Sequence, residues 1–137
     1  MKFLKGQMKP VKKRIPKLGQ ELSIPQQGEI WLVEFPKIKE FSKPFRPVLI
    51  ISNNLQNEFD NLITVVTLTT DDIENIRPFE VFIKNNQKNG LDYPSKILTG
   101  YSFSIYKERL IERLGIVQEE IIIKVKTALK ITFDLKN

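Results

Sequence analysis

The chain lacks cysteine and histidine altogether. Without cysteine it can form no disulfide, no thiolate nucleophile and no cysteine-based metal centre. Without histidine it lacks the commonest general acid–base group near neutral pH and the commonest transition-metal ligand. Any catalysis must therefore use the side chains of arginine, lysine, aspartate, glutamate, tyrosine, serine or threonine.

Long apolar runs are also missing. No stretch approaches the roughly 20 residues that a bilayer-spanning helix needs. The opening residues, MKFLKGQMKP, do not contain the apolar core of a secretion signal. We therefore expect a cytoplasmic protein without a membrane segment. With 137 residues, 41% of them hydrophobic and 28% charged, the chain suffices for one domain with its own core.

The net charge of +6 is concentrated at the N-terminus. Residues 1–27 hold seven basic side chains and one acidic side chain, whereas the remaining 110 residues hold 15 of each sign. Three prolines and two glycines make this segment a poor helix or strand. We predict a flexible basic tail over residues 1–27 and a folded domain over residues 28–137. Such a tail either attracts RNA phosphates or only keeps the chain soluble, and its composition favours neither interpretation.

The rest of the chain is dominated by short segments rich in β-forming residues. We predict strands over residues 29–35, 47–52, 62–68, 79–83, 95–98 and 109–114. The asparagine-dense stretch 53–61 predicts a turn. Apolar residues spaced by four over residues 117–133 predict one amphipathic helix. Several short strands followed by one helix indicate a mainly β protein, either a small antiparallel barrel or a strongly bent sheet.

The segment RPVLIISN, residues 46–53, combines a buried strand with polar ends. Pro47 has no N–H and therefore suits the first position of a strand. The proline also restricts Arg46 to extended geometry, so that the guanidinium would stand at the mouth of a rigid strand. This arrangement suits the binding of a phosphate. Physical reasoning alone favours a plainer role, in which Arg46 caps the strand end by pairing with a glutamate.

Several motifs in order carry a family resemblance: GEIWLVEF (28–35), RPVLIISN (46–53), LITVVTLTT (62–70) and PSKIL with YKERL (94–110). Together with the final helix they resemble the MazF/PemK (Kid) toxins of bacterial toxin–antitoxin pairs. The resemblance implies an SH3-like antiparallel barrel with a C-terminal helix, a homodimer and a protein antitoxin as partner. It also implies sequence-specific cleavage of single-stranded messenger RNA without metal or cofactor.

The resemblance further implies the residues that act. Arg46 takes the position of the family's catalytic arginine, and Thr69 that of its catalytic threonine. RNA would supply its own nucleophile, a 2′-hydroxyl, so that a forked arginine and a hydroxyl donor suffice to stabilise the phosphate. Glu40 is a possible acid or base, or equally a solvated surface charge. The further residues expected to contact RNA are Lys43, Ser52, Asn53, Asn57, Thr70 and Tyr101.

Two positions depart from the family's pattern. Gly100 stands where many members carry an acidic residue, and Phe103 stands where an arginine follows. We therefore expect an altered base preference and a lower activity. Tyr101 and Phe103 could stack RNA bases, since aromatic platforms suit single strands. A place in the core is the favoured reading for Phe103.

Two other functions remain open at this point. A non-catalytic SH3-like module would bind nucleic acid or protein, with a purely structural Arg46. A toxin of the same fold could instead act on DNA gyrase, where the pairing of Arg46 with Thr69 would have no purpose. Cleavage of RNA in the presence of EDTA separates the ribonuclease from both.

Overall fold

The structure is a computed structural model that describes residues 24–35 and 44–136. Most of the predicted basic tail lies outside these residues, and so do Glu40 and Lys43. The helices and strands described are β1 (Glu29–Glu34), β2 (Phe45–Ile50), α1 (Asn54–Phe59), β3 (Leu62–Thr69), β4 (Glu80–Ile83), β5 (Ser95–Tyr106), β6 (Leu110–Ile116) and α2 (Glu119–Thr132). A short 3-10 turn, Lys107–Arg109, joins β5 to β6.

The six strands form one antiparallel sheet in the order β4-β5-β3-β2-β1-β6. The expected mainly β fold with a C-terminal helix is confirmed. The sheet does not close into a complete barrel, because no ladder joins β4 to β6 in the part of the chain that the structure describes. Instead the turn after β4 contacts β6, and the Ile116 N–H donates to Lys88 O at 2.8 Å. Gly90 allows this approach, since a Cβ there would lie 2.0 Å from Leu114 O.

The asparagine-dense segment is a helix, so the predicted turn over residues 53–61 is wrong. Asn53 is the N-cap of α1, and its side chain accepts a hydrogen bond from the Gln56 N–H at 2.8 Å. The Asp60 N–H closes the other end by donating to Gln56 O. Asparagine favours turns and helix N-caps for the same reason, a short side chain that bonds nearby backbone. Composition alone therefore could not separate the two structures.

The fifth strand is much longer than predicted, running from Ser95 to Tyr106 instead of ending at Leu98. A bulge interrupts the strand, since the neighbours Thr67 and Val66 of β3 pair with Leu98 and Ser102, four residues apart. The prediction therefore stopped at the bulge. Within the bulge, Thr99 is fully buried and lies 2.7 Å from the hydroxyl of Thr132 at the end of α2. The departures noted at residues 100 and 103 thus lie inside a strand and not after it.

Each face of the sheet has its own apolar core. The face covered by α2 buries a cluster that includes Ile30, Leu49, Val66, Leu68, Val81, Ile97, Val125 and Ala128. The opposite face buries Trp31, Val33, Phe35, Val48, Ile50, Ile63, Val65 and Leu110. Side chains alternate along a strand, so Arg46 shares the face of Val48, and Thr69 that of Val65. The predicted catalytic pair therefore lies on the face away from α2.

Candidate active site

Arg46 is the second residue of β2 and is half-buried. The strand begins at Phe45, two residues before the predicted start at Pro47, and Arg46 is extended as expected. One guanidinium nitrogen, Nη2, donates to Leu68 O at 3.1 Å, so the side chain reaches across to β3. Burial lowers the pKa of Arg46, and the charge of Asp71 raises it. Arginine nevertheless stays charged at neutral pH, because its ordinary pKa lies far above 7. The site therefore holds a fixed and partly desolvated positive charge.

Thr69 ends β3 on the same face as Arg46. The β2–β3 ladder ends where Val48 pairs with Thr67, and the same register extended by two residues would place Arg46 opposite Thr69. Side chains directly opposite in such a ladder have Cβ atoms about 4.5–5.5 Å apart. The Thr69 hydroxyl accepts a hydrogen bond from the Asp71 N–H at 3.1 Å, which leaves its own O–H able to donate. The fold thus brings the two predicted catalytic residues together.

Asp71 is a candidate functional residue that sequence reasoning missed. It is exposed, its N–H bonds the Thr69 hydroxyl, and its carboxylate acts electrostatically on Arg46. The available signal was the run Thr69-Thr70-Asp71 directly after a buried strand, since threonine commonly bonds the N–H two residues on. A carboxylate beside a phosphate-binding arginine can accept or donate a proton during cleavage.

Ser52 and Asn57 form a buried cluster at the other end of β2. Asn57 is 0% exposed, and its amide donates to Ser52 O at 3.0 Å. The Ser52 hydroxyl donates to Asn57 Oδ1 and accepts from the Thr64 N–H. These contacts tie α1 to the sheet. The predicted RNA contacts of Ser52 and Asn57 stay predictions, and they would require these internal bonds to open. Asn53 is exposed but its side chain already caps α1.

The middle of β5 carries the positions that depart from the family pattern, Gly100 within the bulge and Phe103 just after it. Tyr101 is 52% exposed and is thus accessible to a base, although its role with RNA remains a prediction. Phe103 packs against the core, as predicted, with its ring centroid 5.8 Å from that of Phe35. A Cβ at Gly100 would meet no atom within 4 Å, so an acidic side chain has room there. Thr70, which was also predicted to contact RNA, is exposed.

Residues 24–35 and 44–136 contain neither a candidate metal site nor a candidate membrane helix. No three acidic side chains among them converge into a metal site. No helix in these ranges is both long enough and apolar enough to cross a membrane. Independence of metal remains a prediction, to be tested in solution. The predicted roles of Glu40 and Lys43 fall outside the described residues.

The comparison with known proteins now identifies the family. A sequence model of the PemK-like, MazF-like toxins of type II toxin–antitoxin systems matches residues 26–133. The chain belongs to this toxin family. It is also 31% identical over 114 residues to the endoribonuclease MazF of Staphylococcus epidermidis, and the match covers 82% of this chain and 93% of that protein. The resemblance inferred from GEIWLVEF and RPVLIISN is therefore confirmed.

Solved structures of this family share the fold. An endoribonuclease from a mycobacterial species, solved in complex with its cognate antitoxin, superimposes with a TM-score of 0.69 at 23% identity. That match covers 82% of this chain and 98% of the mycobacterial one. The toxin MazF-mt6 of Mycobacterium tuberculosis gives a TM-score of 0.67, also at 23% identity, covering 80% of this chain and 99% of its own. The chain thus shares its overall fold with these solved toxins.

Proposed function

We propose that this toxin, an RNA-cleaving enzyme by family, cleaves single-stranded messenger RNA and that Arg46 and Thr69 are its catalytic residues. The observation behind this is that the Arg46 guanidinium reaches Leu68 O, directly before Thr69, on the sheet face away from α2 that both side chains share. A half-buried guanidinium beside a hydroxyl suits a phosphodiester, because forked donors and a neutral donor can share its oxygens. A purely structural Arg46 would need no such hydroxyl partner.

The reaction needs no protein nucleophile. The 2′-oxygen of the RNA attacks the adjacent phosphorus, a new O–P bond forms, and the bond from phosphorus to the 5′-oxygen breaks. The products are a 2′,3′-cyclic phosphate and a 5′-hydroxyl. Arg46 stabilises the negative charge that builds on the phosphate oxygens in the transition state. Thr69 donates a hydrogen bond from its hydroxyl to one of the same oxygens.

Two protons must move, one from the 2′-hydroxyl and one to the 5′-oxygen. Asp71 suits one of these transfers, since its charge acts on Arg46 and its N–H holds Thr69. Glu40 remains the alternative from the sequence. We expect Asp71→Asn to lower the cleavage rate by about 10²-fold and to remove one limb of its pH dependence. Asp71→Glu serves as the control that keeps the carboxylate. An Asp71→Asn enzyme with the wild-type rate and pH profile would leave Glu40 as the only assigned candidate.

RNA cleavage itself is tested with purified protein and a mixed-sequence RNA in EDTA. We expect cleavage at defined short motifs, with a cyclic phosphate on one fragment and a 5′-hydroxyl on the next. Mapping the 5′ ends gives the motif. Binding without cleavage would indicate the non-catalytic module, and loss of gyrase supercoiling without RNA cleavage would indicate the other toxin. Cleavage that stops in EDTA and returns with magnesium would contradict the metal-free chemistry.

The proposal includes a cytoplasmic homodimer neutralised by a protein antitoxin. Support for the antitoxin comes from the family and from the mycobacterial relative solved with its own antitoxin. Light scattering should give twice the 16.0 kDa of the chain, and a measured mass of one chain would contradict the dimer. A small acidic protein encoded beside the toxin should suppress cleavage when added at equal concentration.

A further inference from the structure

A lysine is buried in the sheet directly beside the candidate active site. Lys96 of β5 pairs with Thr69 on one side and with Phe82 of β4 on the other. Ile97 points into the core under α2, so Lys96 lies on the same face as Arg46 and Thr69. Its side chain is only 6% exposed. A charged side chain at such a strand position needs a partner, because burial of an unpaired charge is costly.

The partner is Glu80 of β4, whose side chain is 7% exposed. Lys96 Nζ lies 3.0 Å from Glu80 Oε1 and also donates to Asn75 O at 3.0 Å. The same Glu80 oxygen accepts the Arg77 N–H at 3.0 Å. The ion pair thus holds the backbone of the loop between β3 and β4, residues 70–79, at two points.

Glu80 is ionised in this environment. Burial acts to raise its pKa, but hydrogen bonds from the Arg77 N–H and from Lys96, with the charges of both residues, hold the pKa below its ordinary value. Buried ion pairs add little net stability, and apolar replacements of the same size are often equally stable. The pair is therefore better explained by the arrangement it enforces than by the stability it adds.

The enforced arrangement concerns the start of the loop. Residues 70–79 follow Thr69 immediately and carry Asp71, which bonds the Thr69 hydroxyl. Within the loop, the Asn75 side chain and N–H both donate to Asp72, and these bonds are local and exposed. Asp72 adopts a left-handed backbone with φ of 52°, which a non-glycine residue rarely does without support. Two buried contacts attach this loop to the sheet. The Thr99 hydroxyl donates to Phe79 O at the end of the loop, and Lys96 with Glu80 holds Asn75 and Arg77 nearer its middle.

We propose that Lys96 and Glu80 are positioning residues of the cleavage site, which hold loop 70–79 so that Thr69 and Asp71 face Arg46. This inference rests on the proposed function. Loss of the pair would let the loop shift while leaving Arg46 in place. A displacement of about 1 Å at a reacting group can lower a rate about 10²-fold. The loss should therefore appear in kcat and much less in KM.

The test uses the double variant Lys96→Met/Glu80→Leu, which replaces the pair by apolar side chains and avoids a buried unpaired charge. We expect a folded protein with kcat lowered about 10²-fold, and faster amide hydrogen exchange over residues 70–79. Lys96→Arg keeps the charge and the donors, so its kcat should lie between those of the wild type and the double variant. The matched control is Arg113→Met/Glu29→Leu, which removes the 2.6 Å pair between β1 and β6. That pair lies at the Glu29 end of β1, about 13 Å along the strand from Val33, the residue paired with Arg46.

The rates of the two double variants and the hydrogen exchange of loop 70–79 distinguish positioning from a general loss of stability. A folded Lys96→Met/Glu80→Leu protein that cleaves at the wild-type rate would overturn the inference. An equal loss of kcat in the control pair would also overturn it, since the effect would then follow general stability. If the wild-type protein itself cleaves no RNA, the proposed function fails, but the exchange measurement still decides the positioning. Unchanged exchange over residues 70–79 would then overturn it independently of catalysis.

Discussion

Polar side chains lie near both ends of strand β2, and the two groups differ in burial and in hydrogen bonding. At its beginning, Arg46 is half-buried and reaches across to β3, beside a hydroxyl that can still donate. Just beyond its end, Ser52 and Asn57 are buried and bond mainly to each other and to nearby backbone. Polar groups satisfied inside the protein stabilise the fold, whereas a half-buried charge at a strand end keeps a surface that a ligand can reach. This contrast predicts which substitutions remove activity and which remove stability.

The largest effect is expected at the catalytic end. Arg46→Ala should lower kcat for RNA cleavage about 10²–10³-fold, because the transition state loses its charged donor. Circular dichroism and the melting temperature should change little, since the side chain is only half-buried. Arg46→Lys should recover little activity, because an ammonium group lacks the forked donors. Lys126→Ala, an exposed site on α2, controls for the loss of one positive charge.

The structural end should respond in the opposite way. Asn57→Ala should lower the free energy of unfolding by about 1–3 kcal/mol, because the Ser52 groups lose their buried partner. Cleavage per folded molecule should stay close to wild type. Urea unfolding and kcat measured well below the melting temperature check both values. Asn61→Ala is the exposed control. A large fall in kcat with unchanged stability would instead support the predicted RNA contact of Asn57.

A smaller effect is expected for Thr69→Val. The change keeps the shape of the side chain and removes one neutral donor, so kcat should fall roughly threefold to tenfold. Stability should hardly change, since the hydroxyl accepts only an exposed backbone bond. A rate equal to wild type would make Thr69 a strand residue without a catalytic part.

The smallest effect concerns the basic tail. Deleting residues 1–23 removes the whole net charge of +6 and keeps Pro25 and Gln27, which pack and bond against the domain. RNA binding should then weaken mainly at low salt. Loss of three or four phosphate contacts would flatten the slope of log K against log salt by about 2–3 units. The cleavage motif should stay the same, because flexible charge does not read bases. Equal slopes of log K against log salt for the full-length and the truncated protein would show that the tail does not contact RNA.

Local patterns predicted most strands and the final helix, because alternation and helical spacing are written along each segment. Local patterns gave wrong predictions where the same residue type is common in two kinds of structure. The asparagines of residues 53–61 cap a helix instead of forming a turn, and Gly100 sits in a bulge instead of ending β5.

The site was only partly predictable for a similar reason. Arg46 and Thr69 were inferred from motifs that resemble the family, and the β2–β3 register extended by two residues would place them opposite each other. Asp71 and the Lys96–Glu80 pair depend on how loop 70–79 returns to β4, which no local pattern encodes. A lysine between Ser95 and Ile97 was the visible hint, since a buried strand position is ordinarily apolar.

The central claim is that Arg46 and Thr69 act on the same phosphate, and a double-mutant cycle tests it most directly. The measurement is kcat/KM on one defined RNA for wild type, Arg46→Ala, Thr69→Val and the double variant. Residues that act as a unit give losses that do not multiply. We predict that Thr69→Val lowers the rate clearly in the wild type and hardly at all once Arg46 is alanine. If the two losses multiply in full, the residues act independently and the shared site is contradicted.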